Sequence, residues 1–438
     1  MASKLDEEIP SDSDMSSREA ESDEDLIEDD EDEETVQEKK IRLAKNLIEK
    51  LEKQKESKAL DKDQTAYVVR KLEEDLQAKT GKLKKELANK YTSGTIEKQL
   101  KGHRLSVTCV AISSDKKYIF SGSKDGTIIK WNFESGMKMN TIKKRLPNEN
   151  KNSNKGHSKE IYALAISDDS KFLATAGEDR SIKIWNPDNL EFIYSFEGHR
   201  DAVSGLVFRA NSHQLFSCSF DRSVKIWNVD QLVYVETLFG HQDKILGIDS
   251  LNKERCITCG ARDRSLRLWK VVEESQLLFN GTHFDSIDCV SLINEEYFFS
   301  GSNDSTLAIW NINKKKPILA HKNAHKTSVH NENTSLFGGG FQPTNWICSV
   351  KAYHNSDLLA SGSDDGFIKI WAFSSSNNTL NERFKIQVNG FVNDLQFSED
   401  GSYLIAGVGQ EHKLGRWSTN KNAKNSILII KLNSDDLK

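Results

Sequence analysis

The chain has 438 residues, 37% of them hydrophobic and 29% charged, with a formal net charge of −5, which allows a substantial core but leaves more charge than one compact body needs. No apolar run approaches the roughly 18–20 residues of a bilayer span and the first residues carry no signal-peptide core, so a soluble, intracellular protein without a membrane partner is expected. Six scattered cysteines argue against a disulfide framework, and Cys256 and Cys259, as strand residues of opposite parity, fit buried side chains better than a metal or redox pair.

Residues 1–36 hold 17 Asp/Glu against 2 Lys/Arg, with almost no apolar side chains, and read as a disordered acidic tail. Its bland role is solubility; Ser11, Ser13 and Ser22 precede acidic residues and are candidate phosphorylation sites. Residues 37–101 reverse the balance, with 18 Lys/Arg against 11 Asp/Glu. Here Ile41, Ala44, Leu47, Ile48 and Leu51 recur at helical spacing, and Val69, Leu72, Leu76, Leu83 and Leu87 suggest a second helix. Residues 37–90 are thus read as a basic amphipathic helical arm, which packs on its own body, on a partner or on nucleic acid.

From Leu100 the chain repeats itself. His103, His157, His199, His241, His283 and His325 are each followed by an aspartate and, six residues later, a tryptophan: Asp125/Trp131, Asp179/Trp185, Asp221/Trp227, Asp263/Trp269, Asp304/Trp310 and Asp365/Trp371. The repeat length of about 40–45 residues with these markers is the WD40 signature, four short strands to a blade. A seventh copy is degraded: Phe391–Phe397 and Tyr403–Ala406 read as strands, Glu411 stands in the aspartate position and Trp417 closes the third strand. Its fourth strand is either Ile427–Ile430 or the stretch Thr95–Leu100. The fold class is therefore all-β, a seven-bladed β-propeller over residues 91–438, with no open sheet edge.

The repeated polar residues have a structural task. Within a blade the histidine, the aspartate, a Ser or Thr four residues before that aspartate, and the tryptophan are expected to form one hydrogen-bonded chain. Ser121, Thr175, Ser217, Ser300 and Ser361 fit the spacing, whereas blade four has Cys259 there and should have a shorter network. The set resembles the parts of a hydrolase triad, but a nucleophile is needed once and staples are needed in every blade, so no enzyme, cofactor, metal or small-molecule substrate is expected.

The loops from strand d to strand a and from b to c share one face of a propeller, which is the default binding surface. Its expected occupants are Arg104, Lys124, Lys159, Arg180, Arg200, Arg222, Lys244, Arg262, Arg264 and Lys326, with Lys413 and Arg416 near the degenerate blade. Such a local concentration of cations suits phosphate contacts, although lysines and arginines beside aspartates often only pair with them. Two insertions interrupt the rhythm: a basic run from Lys143 to Lys155, and an Asn/Gly-rich stretch between His325 and Trp346 that has no assigned chemistry.

Stretches outside the generic repeat carry a further likeness. Glu38-Lys-Lys-Ile-Arg-Leu-Ala-Lys45, Gly198-His-Arg-Asp-Ala-Val-Ser-Gly-Leu206, Tyr234-Val-Glu-Thr-Leu-Phe-Gly-His-Gln-Asp243 and Gly407-Val-Gly-Gln-Glu-His-Lys-Leu-Gly-Arg-Trp417 resemble the WD40 proteins of the U3 small nucleolar ribonucleoprotein. The resemblance implies a protein of the nucleus and nucleolus that binds the box B/C region of U3 RNA beside a small kink-turn-binding protein. It would act with other small-subunit processome proteins in 18S ribosomal RNA maturation. The alternative is a protein-binding scaffold or substrate receptor in another nuclear complex, using the same loops to grip a peptide.

Overall fold

The sequence repeat becomes a ring of seven antiparallel four-stranded sheets in the computed structural model, which describes residues 85–146, 155–281, 283, 285–325 and 345–434. The acidic tail, most of the expected arm, Thr282, and the bulk of both insertions, with Lys326, lie outside the described residues. Blade one shows the pattern: strands a to d are Val107–Ile112, Tyr118–Ser123, Ile128–Asn132 and Lys138–Ile142. Strand a is buried throughout because both its faces meet other blades, so it reads as a continuous apolar run. Strand d, Lys138–Ile142, is exposed or half-buried.

Successive blades share their cores. Ala174, Ile184 and Phe196 of blade two pack with Val203, Leu215 and Trp227 of blade three in one cluster, and the other interblade seams are built the same way. Cys256 belongs to the seam before blade four and Cys259 to the seam after it, as opposite strand parity requires. Burial raises both thiols well above their ordinary range.

The polar staples form as expected in blades two, three and six. In blade three, His199 Nδ1 lies 2.9 Å from Asp221, its Nε2 lies 2.8 Å from Ser217 Oγ, and Trp227 Nε1–H donates to the same hydroxyl at 2.9 Å. His157, Asp179, Thr175 and Trp185 repeat this in blade two, and His325, Asp365, Ser361 and Trp371 in blade six. Burial by itself would raise the Asp179 carboxyl, but the hydrogen bond and charge of His157 and the Ser158 N–H outweigh it and hold the acid well below the usual carboxylate range.

Three blades depart from the expected pattern. Blade four has a full staple, because Thr258 supplies the hydroxyl that Cys259 lacks: His241 and Trp269 both reach it at 2.8 Å, and His241 meets Asp263 at 2.7 Å. Thr258 pairs in register with Arg267, two residues before Trp269, just as Ser217 pairs with Lys225 before Trp227; the turn that follows is one residue longer. In blade one His103 Nδ1 is 3.0 Å from Thr127 Oγ1 and 3.5 Å from Asp125, while Ser121 and Trp131 hold their places. In blade five His283 reaches Ser300, which also accepts from Trp310, but Asp304 turns to Ser302 and Thr306 and His283 Nδ1 has no partner among the described residues.

Blade seven decides one open choice and corrects one expectation. Its strands are Phe391–Phe397, Tyr403–Gly409, Ser426–Ser434 and, outermost, Tyr91–Leu100 from the start of the propeller. The stretch Ile427–Ile430 is therefore part of the third strand, and Trp417 lies outside any strand, in the loop before it. Pairing the first strand with the last closes the ring and leaves no blade with a missing partner.

The chain reaches that strand by a strap, and not by the helix expected to include Leu87. Lys85 exchanges backbone hydrogen bonds with Asn355 and Asp357, and Asp357 Oδ1 accepts from the N–H groups of Leu87 and Ala88 at 2.7 and 2.9 Å. These tertiary acceptors replace the intrahelical ones, and Ala88 is buried against blades six and seven. Replacing Asp357 by alanine strands two donors and should cost about 1–2 kcal/mol of unfolding free energy. Asparagine there keeps an acceptor and should recover most of it, as read from urea midpoints.

Candidate nucleic-acid interface

The b–c turns and the d–a loops converge on one face of the ring. Three successive b–c turns place an arginine at the same left-handed position: Arg180 (φ 64°), Arg222 (φ 68°) and Arg264 (φ 53°). Blades one and six put Gly126 and Gly366 there, as the backbone prefers. All three guanidinium side chains are exposed, and none forms an ion pair among the described residues.

Arg104 and Arg200 join them from the adjoining d–a loops, and Arg262 from the same turn as Arg264. Their backbone N–H groups bind Asp125, Asp221 and Asp243, which fixes each loop while the side chain stays exposed. Lys159 pairs with Glu178 at 3.1 Å, and Lys244 sits 4.9 Å from the centre of the Phe220 ring. Lys124 differs from the rest: it is buried and holds Glu411 at 3.4 Å and the Gly415 carbonyl at 3.1 Å. Its charge is used inside the protein.

Glu411, in the place of the seventh aspartate, therefore collects Lys124 and, at 3.1 Å, Arg416. The loop it opens, between Gly409 and Ser426, is pinned at its base. Ser106 Oγ accepts from Glu411 N–H, and Asn393 joins the Glu411 carbonyl to the Lys413 N–H. On this base stands an aromatic stack that the repeat spacing did not reveal. Trp346, from the entry to blade six, lies 4.0 Å from the His412 ring and 5.6 Å from Trp417, at interplanar angles of 19° and 15°. Trp346 donates its indole N–H to the buried Asp288, whose carboxyl burial pushes up to about 6. His412 is neutral: burial, then the charges of Lys413 and Lys124, lower its pKa well below the ordinary value, and its Nδ1 accepts from Leu414 N–H.

Trp417 also meets His412 at 5.9 Å, tilted by 34°, and as the exposed member of the cluster, at 64%, it presents aromatic surface to solvent. A side chain at Gly415 would run into its ring, with a built Cβ only 1.7 Å from it, so glycine is what lets the indole lie over the loop. Lys413 points from the same loop into the central channel, a cavity of about 250 Å³ also lined by Asp288, Asp394 and Lys351. Exposed cations and an exposed flat ring, held by buried partners, are the combination that single-stranded or irregular RNA requires.

The histidine–hydroxyl–aspartate sets lack the access that a nucleophile needs. Ser217, Ser300 and Ser361 have no exposed surface, and a tryptophan N–H already occupies each hydroxyl. Their geometry serves the blades, since an attacking oxygen must reach a substrate atom.

The family description "WD domain, G-beta repeat" matches residues 94–132, 148–186, 190–228, 232–270, 275–311 and 333–372. The mouse protein "U3 small nucleolar RNA-interacting protein 2" is 47% identical over 91% of this chain and 83% of its own length; the human protein of that name is 46% identical with the same coverage. A crystal structure of RRP9 WD40 repeats superposes with a TM-score of 0.71 at 45% identity, covering 77% of this chain and 97% of that one. With the ring, the staples and the blade-seven loop in hand, the chain belongs to the WD-repeat family of U3 small nucleolar RNA-interacting proteins.

Proposed function

We propose that this chain is a non-catalytic RNA-binding subunit of the U3 small nucleolar ribonucleoprotein. It acts in the nucleolus, where its cationic loop face holds the box B/C region of U3 RNA beside a kink-turn-binding protein, in the assembly that matures 18S ribosomal RNA. The observation that carries this reading is the Trp346–His412–Trp417 stack, with its outer ring open and Arg416 next to it. The relatives' names and the three left-handed arginines support it. Phosphate contacts from Arg104, Arg180, Arg200, Arg222, Arg262 and Arg264 would set orientation, and an unpaired base on Trp417 would mark an irregular RNA.

Binding of a box B/C fragment, with the kink-turn-binding protein present, tests this. Trp417→Ala should weaken it about tenfold, the value of one base stack, while Trp417→Phe keeps most of the affinity. Unchanged affinity in Trp417→Ala together with a flat salt response would sink the reading and leave a protein-binding scaffold.

A further inference from the structure

The outer rim of the propeller is not uniform. The outer strands of blades one to four and of blade seven expose large apolar side chains, among them Met139, Ile193, Val235, Leu278 and Ile96, whereas blades five and six expose none among the described residues. What blades five and six present is positive charge. Residues 312–322 and 367–387, which include their outer strands Leu319–His321 and Thr379–Gln387, hold seven Lys/Arg against one Asp/Glu.

Lys314, Lys315 and Lys316 stand in the turn that leads into the outer strand of blade five, and Lys322 follows that strand; Lys369, Arg383 and Lys385 come from blade six. The two outer strands are neighbours, and His321 of blade five stands edge-to-face on Trp371 of blade six at 5.3 Å. Glu382, the one carboxylate, pairs with Lys369 at 2.8 Å, and Lys385 lies 4.9 Å from the centre of the Phe367 ring. Lys314, Lys315, Lys316 and Arg383 are exposed and form no ion pair among the described residues. Glu296, whose carbonyl accepts the Ile312 N–H beside the lysine turn, pairs with none of them.

We propose that the rim of blades five and six is a second RNA-contact surface, a phosphate track for a double-stranded segment that continues from the loop face. The inference rests on the RNA reading of that face. A stable protein partner needs an apolar centre to its interface, which this sector does not offer, whereas nucleic-acid interfaces are more polar and far more positive. Unpaired bases need flat exposed rings, and this rim exposes no Phe, Tyr or Trp among the described residues, so the contacts fall on the backbone of a duplex. The track is continuous with the loop face. Lys322 lies three residues before the staple histidine His325, and Ala324 N–H, between them, bonds Ser305 in the b–c turn of blade five. From Lys322 the outer strand runs the other way, to Lys316, roughly 20 Å for six extended residues. A short RNA held on the loop face therefore stops before the lysine turn, and a longer stem reaches it.

The test compares two RNAs on the full chain with the kink-turn-binding protein present: a minimal box B/C fragment, and the same fragment with its stem lengthened. Lys314→Gln, Lys315→Gln and Lys316→Gln together should weaken the long RNA about a hundredfold near 0.15 M salt, make its salt slope shallower by about two to three, and leave the short RNA unchanged. Neutralising Lys116, Lys117 and Lys171, which pair with Asp400, Asp115 and Asp169, should change neither RNA. The three turn lysines are exposed, so the melting temperature should stay within about 2 °C. Unchanged binding of the long RNA would overturn the track, and a loss that Trp417→Ala still causes on the short RNA would leave the loop-face reading standing. An equal loss on both RNAs, an equal loss from the control lysines, or loss of a protein partner with RNA binding intact would also overturn it, and failure of the parent chain to bind either RNA would sink both readings.

Discussion

Replacing Arg180, Arg222 and Arg264 together by glycine should leave the propeller as stable as the parent while, on the proposed function, lowering its affinity for a box B/C RNA fragment about a hundredfold near 0.15 M salt. All three occupy left-handed backbone, where a side chain costs roughly 1 kcal/mol that glycine does not. Glycine in turn adds roughly 0.5–1 kcal/mol of chain entropy to the unfolded state, so the two terms nearly cancel. Blades one and six already use glycine at this position, and their turns keep the same form. The affinity term follows from counterion release. Each phosphate contact contributes a slope of about 0.7–0.9 in log affinity against log salt, so three contacts amount to about two decades between 0.15 and 1 M. The salt titration is the decisive measurement: the variant's slope should be shallower by about two to three. An unchanged slope would mean that these guanidinium groups touch no phosphate. Loss of stability along with affinity would mean that they serve the fold.

The ring could be read from the sequence because its determinants are local and repeated. A histidine, an aspartate 22 residues later and a tryptophan six beyond that describe one blade's interior, and a spacing shared by four of the six blades identifies the class. Where a blade solves the same hydrogen-bonding problem differently, spacing misleads. Thr258 takes the hydroxyl role because strand register, and not the count back from Asp263, decides which side chain faces His241. Trp417 misled for the opposite reason. It has the right residue type near the expected place, yet a loop between Gly409 and Ser426 carries it out of the strand and onto Gly415. The stack it completes joins residues 346, 412 and 417, from two neighbouring blades, and only the packing of blade six against blade seven brings them together. The cations were legible as a group because loop position fixes exposure, but Lys124 shows the limit: its neighbour Glu411 lies 287 residues away and draws it inside.

The incomplete staple of blade five should make the whole ring sensitive to mild acid, with a loss of about 3 kcal/mol from His283 alone between pH 6.5 and 4. Burial lowers this imidazole from 6.5 to about 4, and the nearby Asp304 charge offsets only part of that. The folded-state pKa is the depressed one, so the unfolded chain binds the extra proton. The contribution is fully present above pH 6.5 and is lost as pH falls towards 4. His412 and His354, also lowered mainly by burial, act in the same direction. Asp288 acts in the opposite one: its carboxyl is raised to about 6, so folding takes up its proton more readily below that pH. The low aspartates of blades two and three lose their contribution only below the ordinary carboxylate value of 3.8 and stay out of this window. Urea midpoints of the full chain and of His283→Gln, compared from about pH 7.5 to 4.5, isolate the single group, because glutamine keeps a donor for Ser300 and cannot titrate. The variant should be the flatter of the two by most of those roughly 3 kcal/mol, and parallel curves would show that blade five holds its histidine in some other way.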